Sequence, residues 1–381
     1  MHLPRASAPT VRWFFYLNFL DNVFALHLEA VHIYAPTPPT ALFHLHLITF
    51  MKGTLLAALL LTAAASSALA QQQPQFTHYG LNGMYLNPAY AGIKGQGEVN
   101  LIGRYQYLNY SGTFDGGGSP RTGMISVSLP LVAISGGVGL AVYYDQVGQS
   151  KMTNAALSYS QHVKLGSGTL GLGVQGIYTY LGKGTYTAID LDDVNVPKDA
   201  SDSKFDAGAG IWYEAPKFYA GISLNNLARS EYSFKSAGTK GIASKYLAEN
   251  HAYFTAGYNY EVSSSVVVTP MVLVKAVLPG NFSSKSKFDN SKNYSFEGGV
   301  RATIDDKYWV GANYRHEESV SGLLGLSFAK DNAIRLGYAF DFIAFNQAAR
   351  AFSSQEIMLS YRLPKPGLAT HPAIRTPRYS F

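Results

Sequence analysis

From residue 97 to residue 363, apolar residues recur at every second position in run after run. In 334–342, Ile334, Leu336, Tyr338, Phe340 and Phe342 share one face, while Arg335, Gly337, Ala339 and Asp341 share the other. In 169–180, Leu170, Leu172, Val174, Tyr178 and Tyr180 oppose Thr169, Gly171, Gly173, Gln175 and Thr179. The last run sets Ile357, Leu359, Tyr361 and Leu363 against Glu356, Ser360 and Arg362. A period of two belongs to the β-strand, whose successive side chains point to opposite faces. No segment after Gln71 sustains a helical period, so the chain reads as all-β. The runs amount to about fourteen strands: 97–107, 119–130, 134–146, 151–164, 167–181, 203–214, 217–225, 250–261, 264–277, 292–304, 307–317, 319–329, 332–343 and 353–363.

These runs exceed the roughly five or six residues usual in a soluble sandwich. They match the about nine to eleven of a tilted membrane strand. Their connections alternate in length. Leu131–Ala133, Leu165-Gly166, Ala215-Pro216, Ser263, Asp305-Asp306 and Lys330-Asp331 are tight, whereas 108–118, 182–202, 226–249 and 278–291 are long. Outer-membrane barrels have short periplasmic turns and longer external loops. Lipid offers no hydrogen bonds, so every backbone N–H and C=O at that depth must pair inside a closed sheet. The expected fold is therefore a transmembrane antiparallel β-barrel over 97–363, with its apolar faces toward lipid. Arg104, Asp145, Lys164, Asp206, Glu214, Glu297, Arg301, Arg315, Arg335, Asp341, Glu356 and Arg362 fall on the other set and are expected in the lumen. A propeller needs a repeat of about 40 residues, which is not seen; a soluble sandwich is the other rival.

Composition agrees. Charged residues make up 14%, against about 25% in soluble domains. Mean hydropathy is +0.00, too low for a helical membrane bundle, and there are 27 Tyr against 3 Trp. The absence of cysteine excludes disulfides, thiolate catalysis and cysteine metal sites. The net charge of +6 comes without a Lys/Arg cluster, so nucleic acid is not expected as a partner.

Residues 51–70 read as a signal peptide. Met51-Lys52 supplies the positive start, Leu55–Ala65 the apolar stretch, and Ala68-Leu69-Ala70 the cleavage site. A signal peptide belongs at the start of translation. The preceding stretch holds His2, His27, His32, His44 and His46, half of the chain's 10 histidines. Residues 1–50 are therefore expected to be an upstream mis-start extension, with the mature chain beginning at Gln71.

Residues 74–92 do not alternate. They are rich in aromatics, with turn chemistry at Asn87-Pro88 and Gly92. A stretch of this kind ahead of a barrel either plugs the lumen or sits at the periplasmic mouth, and 71–96 is assigned as that segment. Pro74-Gln75-Phe76-Thr77-x-Tyr79, Asn82 and Asn87-Pro88-Ala89-Tyr90-Ala91-Gly92 resemble the opening signature of the PorP/SprF family, outer-membrane proteins of the type IX secretion system. The resemblance continues through Arg104-Tyr105-Gln106-Tyr107, Pro120-Arg121-Thr122, Ser128-Leu129-Pro130-Leu131 and Glu356–Arg362. His78 departs from the Gln expected there, and a tail, 364–381, follows the last strand.

The resemblance implies a role in secretion or gliding motility. That role is binding or anchoring the C-terminal domains of secreted adhesins, or linking the export machinery to its periplasmic ring. It implies no catalysis. The candidate interaction residues are Pro74, Gln75, Phe76, Tyr79, Asn82, Asn87, Pro88, Ala89, Tyr90 and Gly92. The candidate lumen charges are Arg104, Arg301, Arg335, Asp341, Glu356 and Arg362.

Other motifs carry little. Gly166-x-Gly168-x-x-Gly171 matches a dinucleotide fingerprint in letters only, because alternation continues where a helix is required. His316-Glu317-Glu318 lacks a second His at ligand spacing. Asp190, Asp192, Asp193, Asp199 and Asp202 lack the Ca²⁺-loop pattern. No cofactor or metal is expected. A barrel enzyme would need a compact rim set of carboxylate, His and Ser. The main alternative is a channel for hydrophobic substrates, like the fatty-acid transporters.

Overall fold

The computed structural model describes residues 73–110, 118–184, 200–235, 243–278, 293–345 and 351–366. The expected extension, signal peptide and tail beyond residue 366 lie outside the described residues, as do Asp190, Asp192, Asp193 and Asp199.

The strands are β1 (Glu98–Tyr105), β2 (Arg121–Leu131), β3 (Gly136–Val147), β4 (Ser150–Leu165), β5 (Gly168–Lys183), β6 (Ala200–Glu214), β7 (Phe218–Asn225), β8 (Glu231–Lys235), β9 (Ala243–Leu247), β10 (Asn250–Tyr258), β11 (Tyr260–Glu261), β12 (Val266–Leu278), β13 (Tyr294–Ile304), β14 (Tyr308–Arg315), β15 (Ser319–Phe328), β16 (Ile334–Ile343) and β17 (Ser353–Arg362). Fourteen of them close into one antiparallel barrel. Strands that follow one another in the barrel pair, with β7 passing to β10 and β10 to β12, and β1 pairs with β17 to close the ring. The short β11 prolongs β10 along β12. Each barrel strand thus has a hydrogen-bonded neighbour on both sides over at least part of its length, the closure that lipid requires.

Alternation sets the two faces. On β16, Leu336, Phe340 and Phe342 face outward while Ala339 and Asp341 are fully buried. On β5, Leu172, Val174, Tyr178 and Tyr180 face outward, and Gly171, Gly173, Gln175 and Thr179 face inward. Exposed Tyr159, Tyr258, Tyr308 and Tyr361 ring the short-turn end, and Tyr144, Tyr180, Tyr294 and Tyr314 ring the other. Such girdles mark the two membrane interfaces. The tight turns carry the backbone geometry that hairpins need. Asp305 and Asp306 both lie at φ +52° between β13 and β14, the two positive angles of a type I′ turn.

Pro270 lies inside β12, where a missing N–H would weaken a ladder. The β10–β12 pairing ends at Met271 and the β11–β12 pairing resumes at Val268. The proline therefore occupies a break in the ladder.

The 226–249 connection, expected as a loop, holds the separate β8–β9 hairpin. Its Tyr232 and Phe234 pack with Leu181 and Ala248. β7 stops at Asn225, so the upper half of β6 has no ladder partner on that side, and β8 lies beside it without pairing. Carboxylates substitute for the missing strand: Asp206 accepts the N–H of Ala228 (2.8 Å) and Ser230 (3.1 Å), and Asp202 that of Ser233 (2.9 Å).

The two faces give a direct test. Leu324, on β15, is 58% exposed toward lipid. Leu324→Arg is expected to destabilise the barrel by about 2–4 kcal/mol if the site lies near the bilayer midplane, measured by denaturant unfolding in lipid vesicles.

Candidate functional site: a plugged lumen

Residues 73–97 run through the lumen. Tight turns and both ends of the barrel chain share one end, which is the periplasmic one by the length rule. The segment starts near the opposite end, where Tyr253 donates to the Gln73 side chain (2.6 Å) and Lys275 to the Gln73 carbonyl. It descends past β13, β16 and β17, crosses to β6 and β7, and leaves beside β2 and β3. At the bottom Gln96 donates to the Leu363 carbonyl (2.7 Å).

Local chemistry sets its turns. A one-turn helix, α1 (Gly83–Leu86), is followed by a 3₁₀ turn, Pro88–Tyr90. Asn87 caps that turn by accepting from the Ala89 N–H (2.9 Å), and Pro88, which has no N–H to lose, opens it. The Asn87 amide donates in turn to the carbonyls of Ile211 (2.9 Å) and Ile222 (3.0 Å), paired residues of β6 and β7. Gly210 and Gly221 leave the space it occupies.

Gly92 takes φ +69°, and a Cβ there would lie 2.8 Å from Gly137 Cα and the Leu129 carbonyl. Only glycine combines that angle with so close an approach. Nearby, Ser160 donates to the Ala89 carbonyl (3.0 Å), Ser128 accepts from the Gly92 N–H (2.8 Å), and Ser223 donates to the Leu86 carbonyl (2.6 Å). Side chains of the wall thus satisfy plug backbone groups that cannot reach water.

Charge fixes the upper half. Arg104 faces Glu356 across the β1–β17 seam. Its guanidinium reaches Asp341 (2.6 Å) and Glu356 (3.1 Å). Beside it, Arg315 reaches Glu297 (3.0 Å) and Glu318 (2.8 Å). The plug enters this network at Thr77 and His78. The backbone N–H groups of both donate to the Glu356 carboxylate (2.8 and 2.9 Å). His78 Nδ1 adds a third bond at 2.7 Å. The carboxylate can only accept, so the Nδ1 proton must be present. Thr77 Oγ1 donates to Asp341 (2.8 Å) and accepts from Arg104 (3.0 Å), and Gln75 donates to Glu297 (3.0 Å).

Aromatic rings fill the space between. Phe76, Tyr85 and Tyr143 meet edge to face, at 5.0 and 5.9 Å. Tyr90 abuts Trp212, which stacks on Tyr219. Tyr79 joins Leu86, Tyr253, Met271 and Leu273. A cavity of ≈ 10 Å³ lies between Phe76, Tyr85 and Lys275, about the space of one water.

The candidate residues separate by level. Pro74, Gln75, Phe76, Tyr79, Asn82, Asn87, Pro88, Ala89, Tyr90 and Gly92 all lie in the plug, with Asn82 accepting from Ser126 (3.0 Å). Arg104, Asp341 and Glu356 come together in the upper cluster. Arg301 stands apart beside Gly80. Arg335 pairs with Glu98 (3.3 Å), and Arg362 with Asp306 (3.7 Å), both toward the periplasmic end. Lys164 and Asp206 serve elsewhere than the lumen expected for them: Lys164 is exposed at a tight turn, and Asp206 holds the 226–230 backbone. Participants beyond the residues the sequence singles out include Ser160, Ser223 and Tyr253, buried Lys275, and Asn313, which donates to the Thr77 carbonyl (3.0 Å) and to Glu297 (3.0 Å). Their inward parity was the available signal.

The family described as "Type IX secretion system membrane protein PorP/SprF" matches residues 68–361. The chain belongs to the PorP/SprF family. It is thus an outer-membrane barrel of the type IX secretion system. Among solved structures, it is similar to the CymD monoaromatic hydrocarbon channel, at 12% identity and TM-score 0.41, covering 74% of this chain and 91% of that one. A similar likeness joins it to the Pseudomonas putida toluene transporter TodX, at 12% identity and TM-score 0.41, covering 74% and 93%. The NanC porin matches at 11% identity and TM-score 0.34, covering 70% and 100%. No curated protein matches the chain.

The cluster makes this PorP/SprF barrel sensitive to one substitution. Arg104→Ala leaves Asp341 and Glu356 without their shared cation. It is expected to cost about 3–5 kcal/mol, as for a broken buried pair, read from denaturant midpoints in lipid vesicles.

Proposed function

We propose that the chain is a closed platform of the secretion machinery. It binds or anchors the C-terminal domains of secreted adhesins, or links the export apparatus to its periplasmic ring, and so serves secretion and gliding. The observation that supports this is the plug. Residues 73–97 fill the lumen with their own side chains, and the upper cluster ties them to the wall by at least six hydrogen bonds or ion pairs. A barrel built this way offers partners its rims and loops rather than a passage.

The signal peptide is cleaved after Ala70. Gln73 already stands near the external end of the lumen, so a leader removed before barrel assembly suits this path. Translation begins at Met51, and mass spectrometry of the purified protein is expected to find no peptide from 1–50.

Affinity capture of the tagged protein from its own cells tests the role. Recovery of an adhesin C-terminal domain or a periplasmic ring component is expected. Recovery of no secretion component, with uptake of a hydrophobic substrate lost on deletion, would turn the reading toward a channel. In planar bilayers the intact protein is expected to show no steady conductance, and deletion of 73–92 to open one.

A further inference from the structure

The outer wall holds a groove that the plugged lumen does not use. Lipid-facing positions here are mostly Leu, Ile, Val, Phe or Tyr. At one place two of them are glycines set directly opposite each other, Gly103 on β1 and Gly123 on β2. A Cβ on either would meet nothing within 4 Å. Between Leu101, Ile125, Tyr144, Ile357 and Leu359 they form the floor of a groove of ≈ 590 Å³.

The groove has a charged head. Two residues farther along the same face, Tyr105 and Arg121 are partners across the same pair of strands. The Arg121 guanidinium lies over the Tyr105 ring, 5.0 Å from its centre, and donates to its hydroxyl (3.2 Å). Among the described residues Arg121 meets no carboxylate. Both strands end here, at the long-loop end, so the guanidinium stands at the outer interface. Its planar fork matches phosphate oxygens. Below it the glycine floor lets a chain settle between the flanking Leu101, Ile125 and Leu359 side chains, which add dispersion contacts beyond those of the floor.

We propose that this wall retains a phosphorylated glycolipid of the outer leaflet, with one acyl chain over Gly103 and Gly123 and a phosphate on Arg121. The charge of Arg121 and its place at the external end select this occupant over a bare apolar partner. A second barrel docking by its own apolar face would leave the guanidinium unanswered.

Native mass spectrometry of the full chain in a mild non-ionic detergent tests the site. The wild type is expected to carry an adduct with the mass of the cell's own phosphorylated glycolipid. The double variant Gly103→Leu, Gly123→Leu fills empty space, so the barrel is expected to fold, checked by its heat-dependent gel mobility. Its adduct is expected to fall about tenfold, the scale of one well-made contact. Arg121→Ala is expected to lower it as well, and Arg121→Lys to restore part of it. An unmodified wild type, an adduct unchanged by filling the groove, a retained phospholipid without sugar, or loss of a dimer instead of a lipid would each overturn the proposal.

Discussion

Arg104 and Glu356 face each other across the seam where the first and last strands meet. The position joins two requirements. The barrel must close there so that no backbone group faces lipid unpaired. The same carboxylate takes the N–H groups of Thr77 and His78. Closure of the wall and anchorage of the plug therefore share one buried ion pair. Burial of charge costs several kcal/mol per ion unless each group finds partners. Asp341, Arg315 and Glu297 complete the set, and the plug supplies the remaining donors.

The lower half of the plug is held differently. There the wall thins to glycine and serine, and the plug backbone comes close enough to bond directly. Asn87 illustrates the fit: one side chain caps its own turn and bonds to two neighbouring strands. The segment joins the barrel at its periplasmic end, through Gly97 into β1.

Much of this was legible in the sequence, and for a physical reason. A strand between lipid and lumen must alternate, so Ile334–Phe342 announced both its class and its faces. Tight turns such as Asp305-Asp306 announced which end is which. Pairing between distant strands left no such mark. Nothing near Arg104 says that Asp341 is its partner, because that contact comes from closure of the whole ring. Lys275 hid in an apolar run, Val266–Leu278, whose inward members are nearly as apolar as its outward ones. The β8–β9 hairpin has strands of five residues, too short for periodicity to stand out from a loop. The irregular 74–92 stretch signalled a plug by its aromatics, but its downward course depends on contacts with strands far along the chain.

The central claim is that this segment lies inside the wall, against β3 and β5. The chain has no cysteine, so an introduced pair reports without background. A Cβ on Gly139 would lie 3.2 Å from the Ala91 Cβ, in space shared with the Met84 tip. In a chain carrying Met84→Ala, the pair Ala91→Cys and Gly139→Cys is therefore close to disulfide geometry. Mild oxidation of intact outer membranes is expected to join the plug peptide to the β3 peptide through these two introduced thiols, detected by mass spectrometry. Two free thiols, both open to a water-soluble alkylating reagent, would contradict the plugged lumen.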